Sequence, residues 1–157
     1  MDAIIQQFFN VEIMGQALPI VLQVLLITVL ICIVVIPLGL LGGLLAALGS
    51  VSKNPALRWG CIVFVDLFRA LPPLVLLIFI YAGLPFAGRR LSPFAAVVLG
   101  FFLNNSAYFA EILRAGLLSV PQGQEEAARS TGMTGMQTLL WVTLPQAVRN
   151  VVPDLLS

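Results

Sequence analysis

The chain predicts an all-α, polytopic integral membrane protein, and three observations carry that prediction. Of its 157 residues, 60% are hydrophobic and only 10% are charged, where soluble domains run at roughly 45–50% and about 25%. No charged residue occurs between Glu12 and Lys53, a longer stretch than the roughly 20 residues that cross a bilayer. Further apolar runs follow, separated by short polar loops, so the mean hydropathy of +1.05 describes the whole chain rather than one anchor. The net charge of +1 offers no basic footprint for nucleic acid, which leaves the lipid bilayer as the partner that composition indicates.

The first helix is expected at about 18–49. No cationic stretch precedes it and no small-residue cleavage site follows, so it reads as a retained helix rather than a signal peptide. Pro19 to Leu48 would measure about 45 Å as a helix, against a hydrocarbon core of roughly 30 Å. It must therefore tilt, kink near Pro37 or project into the interface. Gly39, Gly43 and Ala47 recur every four residues and mark a smooth face for close helix packing.

A polar loop at Val51–Leu57 leads to a second segment, about 58–83. Asp66 and Arg69 share one helical face there, and Pro72-Pro73 removes two backbone donors, which predicts a break near Ala70. A loop with Arg89 and Arg90 precedes the third segment, about 93–115, which Pro93 opens and Glu111 and Arg114 close. A more polar segment follows at 119–145. Ser119-Val120-Pro121-Gln122 fits a capping box, Gly132 is a stop, and Thr134 with Gln137 caps a second short helix. Ser130–Val148 is too rich in Gly, Thr and Gln to span and is assigned to the membrane surface. Residues 146–157 read as the start of a further helix, and the chain reads as truncated there.

Lys53 and Arg58 flank the first loop, and Arg114, Arg129 and Arg149 flank or occupy the third. The positive-inside rule places both loops in the cytoplasm and the N-terminus outside, with Arg89 and Arg90 counting against it. The chain has no histidine and only two cysteines. Cys32 and Cys61 fall at different depths, which speaks against a disulfide, and nothing clusters as a metal site. Asn104-Asn105-Ser106 matches a glycosylation sequon but lies within an apolar segment. No GxxxxGK[ST] phosphate loop occurs, and Glu125 and Glu126 diverge on a helix, so no cofactor and no catalytic residue is expected. Asp66, Arg69, Glu111 and Arg114 fall near segment ends, where they either form structural pairs or line the inner end of a pathway. Asn104 and Asn105 lie deeper and are candidates for touching a polar substrate.

Glu126-Ala127-Ala128, three residues, Gly132, nine residues, Val142, one residue and Leu144-Pro145 resembles the EAA loop of the membrane subunits of bacterial ABC importers. Val142 stands where that family prefers isoleucine. Ala107-Tyr108-Phe109-Ala110-Glu111-Ile112-Leu113-Arg114, Gly123-Gln124, and Leu144-Pro145-Gln146-Ala147 with Arg149 and Pro153 are similar to words of its polar amino-acid branch. Phe68-Arg69-Ala70-Leu71-Pro72 is similar to its Phe-Arg-Gly-Thr-Pro signature, with Ala70 and Leu71 as departures.

The resemblance implies a helix bundle like a type I importer transmembrane domain, usually of five helices, so that one or two would be missing here. It implies a permease subunit with no ATPase site of its own, serving a polar amino acid or related small solute at the bacterial inner membrane. Its partners would be ABC ATPase subunits, a second permease copy, identical or homologous, and an extracytoplasmic solute-binding protein. Gly123, Glu126, Ala127, Ala128, Gly132, Leu144 and Pro145 would couple to the ATPase, with the short side chains of Ala127 and Ala128 letting the helix seat closely. Asn104, Asn105, Glu111 and Arg69 would be candidates for lining the pathway. A secondary transporter or channel, or a membrane scaffold protein, are the alternatives; the first would need ion-coupling residues or an internal repeat, and neither is found.

Overall fold

The computed structural model describes residues 11–155, with the side chains of residues 12–153. All regular structure among them is helical. The chain divides into two compact units, Met1–Val34 and Val35–Ser157. The described part of the first is an apolar helix that exposes Leu22, Leu26 and Leu30. Such a surface suits lipid, where exposed apolar side chains carry no hydration cost.

Helix α1 (Val11–Ser50) is 40 residues long, about 60 Å. It starts earlier than the sequence predicts and runs through Pro19 and Pro37 without a break in assignment. Asn54 caps α2 (Pro55–Ala70), its Oδ1 accepting from the Ala56 N–H at 3.0 Å, with Pro55 in the first turn. Leu71 is then extended (φ −89°, ψ 124°), because a residue before proline is pushed out of the helical region. The helix restarts as α3 (Pro73–Ile78) and continues through a π-turn, Phe79–Gly83, and a 3-10 turn, Leu84–Ala87. The two arms are bent by 100°.

Gly88, in the left-handed region at φ 76°, ends that run. Ser92 caps the next helix, α4 (Pro93–Ser119), accepting from the Ala95 N–H at 3.2 Å. Among the described residues, two helices, Glu12–Ser50 and Pro93–Ser119, are long and apolar enough to cross a membrane, and the bent pair makes a third if counted as one span.

The segment after α4 comprises α5 (Gln122–Ser130), α6 (Gly135–Thr138), a π-turn at Leu139–Thr143 and α7 (Leu144–Leu155). From Gly135 the chain is therefore helical to Leu155, and the helix expected only from residue 146 begins eleven residues earlier. The π-turn has a local cause. Pro145 has no N–H for the carbonyl four residues back, and its ring crowds that carbonyl. One wider turn relieves both, with the Leu144 N–H donating to the Leu139 carbonyl five residues back. Leu84-Pro85 also follows a π-turn, Phe79–Gly83, although there the Leu84 N–H donates to the Ile80 carbonyl four residues back.

Packing within the second unit relies on small residues. A Cβ on Gly39 would lie 3.0 Å from Asn105 Cβ, and one on Gly43 2.6 Å from Phe109 Cβ and 3.0 Å from the Ala110 nitrogen. Those contacts are the smooth face of α1 lying directly on α4. Ala47 is fully buried with Leu113, Leu117, Ala147 and Val151, which joins α1, α4 and α7. Gly116 lets α7 approach α4, since a Cβ there would meet Val151 Cγ1 at 2.7 Å and the Ala147 oxygen at 2.8 Å. Val65 of α2 packs with Ala46 and Ala110.

Candidate functional site

Helix α5 presents the Glu126-Ala127-Ala128 triplet on a nine-residue polar helix. Its end is built by backbone bonds. Gly132 takes φ 89°, its N–H donates to the Arg129 carbonyl at 3.1 Å, and the Met133 N–H donates to the Ala128 carbonyl at 3.4 Å. This pair of bonds is a Schellman stop with glycine in its left-handed position. Arg129 Nη1 donates to the Met133 carbonyl at 2.8 Å and Ser130 Oγ to the Glu126 carbonyl at 2.8 Å. Thr134 then opens α6 with a reciprocal capping box: its hydroxyl accepts from the Gln137 N–H at 3.3 Å, and Gln137 Oε1 accepts from the Thr134 N–H at 2.8 Å.

Helical phase divides the predicted coupling residues. Ala128 is only 8% exposed and faces the protein, while Gly123, Glu126 and Ala127 are exposed and Gly123 has open space around it. Of the two alanines expected to seat a partner, Ala127 is on the exposed side and Ala128 on the covered one. At 100° per residue Ala128 points nearly opposite to Glu126. Leu144 is half-buried against the Ala47 cluster and Pro145 is exposed, so both shape the helix that leads away from the loop.

The capping box expected at Ser119 does not form. Ser119 is the last residue of α4, its hydroxyl donates to the Gly116 carbonyl at 2.7 Å and accepts from Asn150 Nδ2 at 2.9 Å. The N-cap of α5 is Pro121, with no side-chain bond. Within Ser130–Val148, Ala147 is buried against α4.

The charged residues of the second and third segments come together. Glu111 accepts from Arg114 Nη2 at 2.7 Å and from its Nε at 3.3 Å, and lies 3.7 Å from Arg69 Nη1. The Arg69 guanidinium stands 5.6 Å from the Tyr108 ring centre, within cation–π range. Asp66, Glu111 and Arg114 line a cleft of about 190 Å³ with Ser50 and Val65. Two arginines sharing one carboxylate tie α2 to α4, which is the structural-pair arrangement, and their partial exposure leaves the cleft accessible.

Asn104 is 4% exposed and donates its Nδ2 to the Phe68 carbonyl at 3.1 Å. That carbonyl would ordinarily accept from the residue four positions on, which is Pro72 and has no N–H. The Asn104 amide therefore replaces a donor that proline removed. Asn105 is half-buried beneath Gly39. Sequence reasoning missed this role, although an isolated polar amide one helix away from a double proline was its visible signal.

The segments also share a face. Val51 and Lys53 of the first loop line one cavity of about 320 Å³ with Glu125, Thr138 and Thr143. Residues 39–157 match the family model of the binding-protein-dependent transport system inner membrane component. The chain belongs to that family. It is an all-α membrane protein of the importer-permease fold. It is 37% identical over 150 residues to YckA of Bacillus subtilis, described as a probable amino-acid ABC transporter permease, covering 96% of this chain and 66% of that one. It is 44% identical over 125 residues to GluD of Corynebacterium glutamicum, a glutamate transport system permease, covering 76% and 45% respectively.

Among solved structures, an amino acid ABC transporter crystallised with histidines superposes with a TM-score of 0.80 at 37% identity, covering 90% of this chain and 66% of that one. The MetNI methionine transporter gives 0.61 at 26% identity, covering 82% and 61%. The chain thus spans just under two thirds of the length of the first relatives it matches, 66% and 65%.

Proposed function

We propose that this family member is a permease subunit of an ATP-driven importer, forming part of the pathway for a polar amino acid or related small solute. ATP hydrolysis would belong to a separate ATPase. The observation that carries this reading is the exposed face of Gly123, Glu126 and Ala127 on a short helix closed at both ends by the Pro121 turn and the Gly132 stop. The amino-acid permeases among its relatives, and the amino acid transporter with the matching fold, support the substrate class.

In this reading the outward face of α5 enters a cleft on the ATPase, and Glu126 pairs with a basic group there. Closure of two ATPase subunits pulls on the loops of two permease copies and switches the pathway between its openings. A soluble binding protein delivers substrate at the other face. The cleft lined by Glu111, whose carboxylate also lies 3.7 Å from Arg69, is the pathway candidate; Asn104 serves it by fixing the α2 break, and Asn105 by packing.

Orientation follows from charge. The shared cavity places Lys53 on the face that carries Glu125. Lys53 and Arg58 flank the first loop and Arg114, Arg129 and Arg149 flank or occupy the third, against Arg89 and Arg90 in the loop before α4. The face with α5 is then cytoplasmic and the N-terminus external.

Co-purification tests the assignment, since an ABC ATPase should come down with this chain. Gly132→Pro and Glu126→Lys should each abolish substrate-stimulated ATPase activity while the chain still inserts in the membrane. Unchanged stimulation in both variants would refute the coupling role.

A further inference from the structure

Gln124 and Gln146 stand among the words around the coupling segment, yet neither has a part in the function proposed above. They lie close together. Gln146 Nε2 donates to Gln124 Oε1 at 3.4 Å across 22 residues of chain. One turn further along α7, Asn150 Nδ2 donates to Ser119 Oγ at 2.9 Å, and that hydroxyl in turn donates a hydrogen bond to the Gly116 carbonyl at 2.7 Å. Residues four apart on a helix share a stripe, so one polar edge of α7 grips both sides of the turn between α4 and α5.

Besides the packing of Val120 on the Ala47 cluster and the burial of Ala128, the turn has few polar ties. Val120 is extended (φ −73°, ψ 125°) ahead of Pro121, Pro121 has no N–H, and α5 lacks a side-chain cap at its start. Adjacent to the polar edge, Ala147 and Val151 pack on α4 where Gly116 leaves room for them. The body of α7 is thus seated on α4 by apolar contact, while its edge reaches over to α5.

We propose that Asn150 and Gln146 are positioning residues that clamp α5 to α4 and α7, so that displacement of the coupling helix moves all three as one body instead of flexing the Val120–Pro121 turn. The proposal rests on the reading of α5 as the ATPase-docking helix. Asn150 is the stronger member, because its bond is shorter and continues through Ser119 to the backbone, an arrangement in which successive bonds polarise one another. All four side chains lie at the surface or half-buried, where substitutions away from special features scarcely change stability. A purely structural contribution would therefore be small, and loss of coupling would stand apart from it.

The test uses this chain co-expressed with the ATPase that it binds and reconstituted in liposomes. Asn150→Leu and the double variant Asn150→Leu/Gln146→Leu should retain the ATPase in co-purification. Their ratio of substrate-stimulated to basal ATPase activity should fall by about five-fold or more, within the range of mutations that alter coupling between sites. The exchanged pair Ser119→Asn/Asn150→Ser should recover most of that ratio, which a general loss of fold would not allow. An unchanged ratio in the double variant overturns the clamp, as does an equal loss in the exchanged pair. Failure of the unsubstituted chain to bind any ATPase would instead overturn the docking assignment beneath it.

Discussion

Replacing Asn104 by leucine removes an amide of similar volume and leaves the Phe68 carbonyl facing a buried site without a donor. An unsatisfied buried acceptor costs about 1–3 kcal/mol. Side-chain hydrogen bonds within membranes average only about 0.6 and reach about 1.7 kcal/mol, because the reference state finds other partners. Here the usual partner is excluded in every state, since position 72 has no N–H to offer. We therefore expect the cost of Asn104→Leu near the upper end, about 1.5 kcal/mol. In a Pro72→Ala background, Leu71 is released from the extended region and the new N–H at position 72 reaches the Phe68 carbonyl. The same Asn104→Leu change should then cost less than about 0.5 kcal/mol, a coupling of about 1 kcal/mol in the double-mutant cycle. Reversible unfolding by SDS in mixed micelles, followed through Trp59 and Trp141 fluorescence, measures all four corners. Additive costs within about 0.3 kcal/mol, or no cost of Asn104→Leu in either background, would refute the view that the amide stands in for the proline.

Four further outcomes are expected. Gly43→Ala should destabilise by about 1–3 kcal/mol, because its Cβ would meet backbone at the Ala110 nitrogen. Gly60→Ala, with open space around it, should stabilise by up to about 1 kcal/mol in the same unfolding assay. Glu111→Gln should cost more than Arg69→Gln, since it leaves two arginines facing each other while the second leaves the 2.7 Å Arg114 pair intact. With side chains about a third exposed, the Arg69 effect should stay below about 1 kcal/mol and shrink in high salt. Gly132→Ala places a side chain at φ 89° for about 1–2 kcal/mol, so amide exchange should accelerate over residues 122–133 with the membrane helices unchanged.

The helical, membrane-bound character and the short helix opened by Thr134 were legible because they rest on local patterns. An uncharged run of this length has one physical outcome, and Thr134 caps its helix through Gln137, three residues on. Glycine at 132 announces its stop because the left-handed position excludes most other side chains. What was not legible depended on partners far along the chain. The apolar stripe of Leu144, Ala147 and Val151 is helical in spacing, but the polar residues before it masked the fact that the short helix opened by Thr134 runs on into it. The Leu-Pro dipeptide was visible as a motif, while the π-turn that proline imposes on the preceding residues was not. Ala128 could be separated from Glu126 only by helical phase combined with knowledge of which side is covered.

The two capping-box patterns show where local inference ends. Ser119-x-x-Gln122 and Thr134-x-x-Gln137 satisfy the same rule, and only the second closes. In a capping box the first hydroxyl accepts from the N–H three residues on. Thr134 is free to do so because it follows the Gly132 stop, with no helix claiming it. Ser119 is still helical, its proton committed to the Gly116 carbonyl, and its acceptor site taken by Asn150, 31 residues later. The long-range bond therefore replaces the local one, and it does so at the turn that leads into α5. A local rule failing at this point follows from a demand that only the folded chain makes: the direction of α5 is set by α7 rather than by the turn itself.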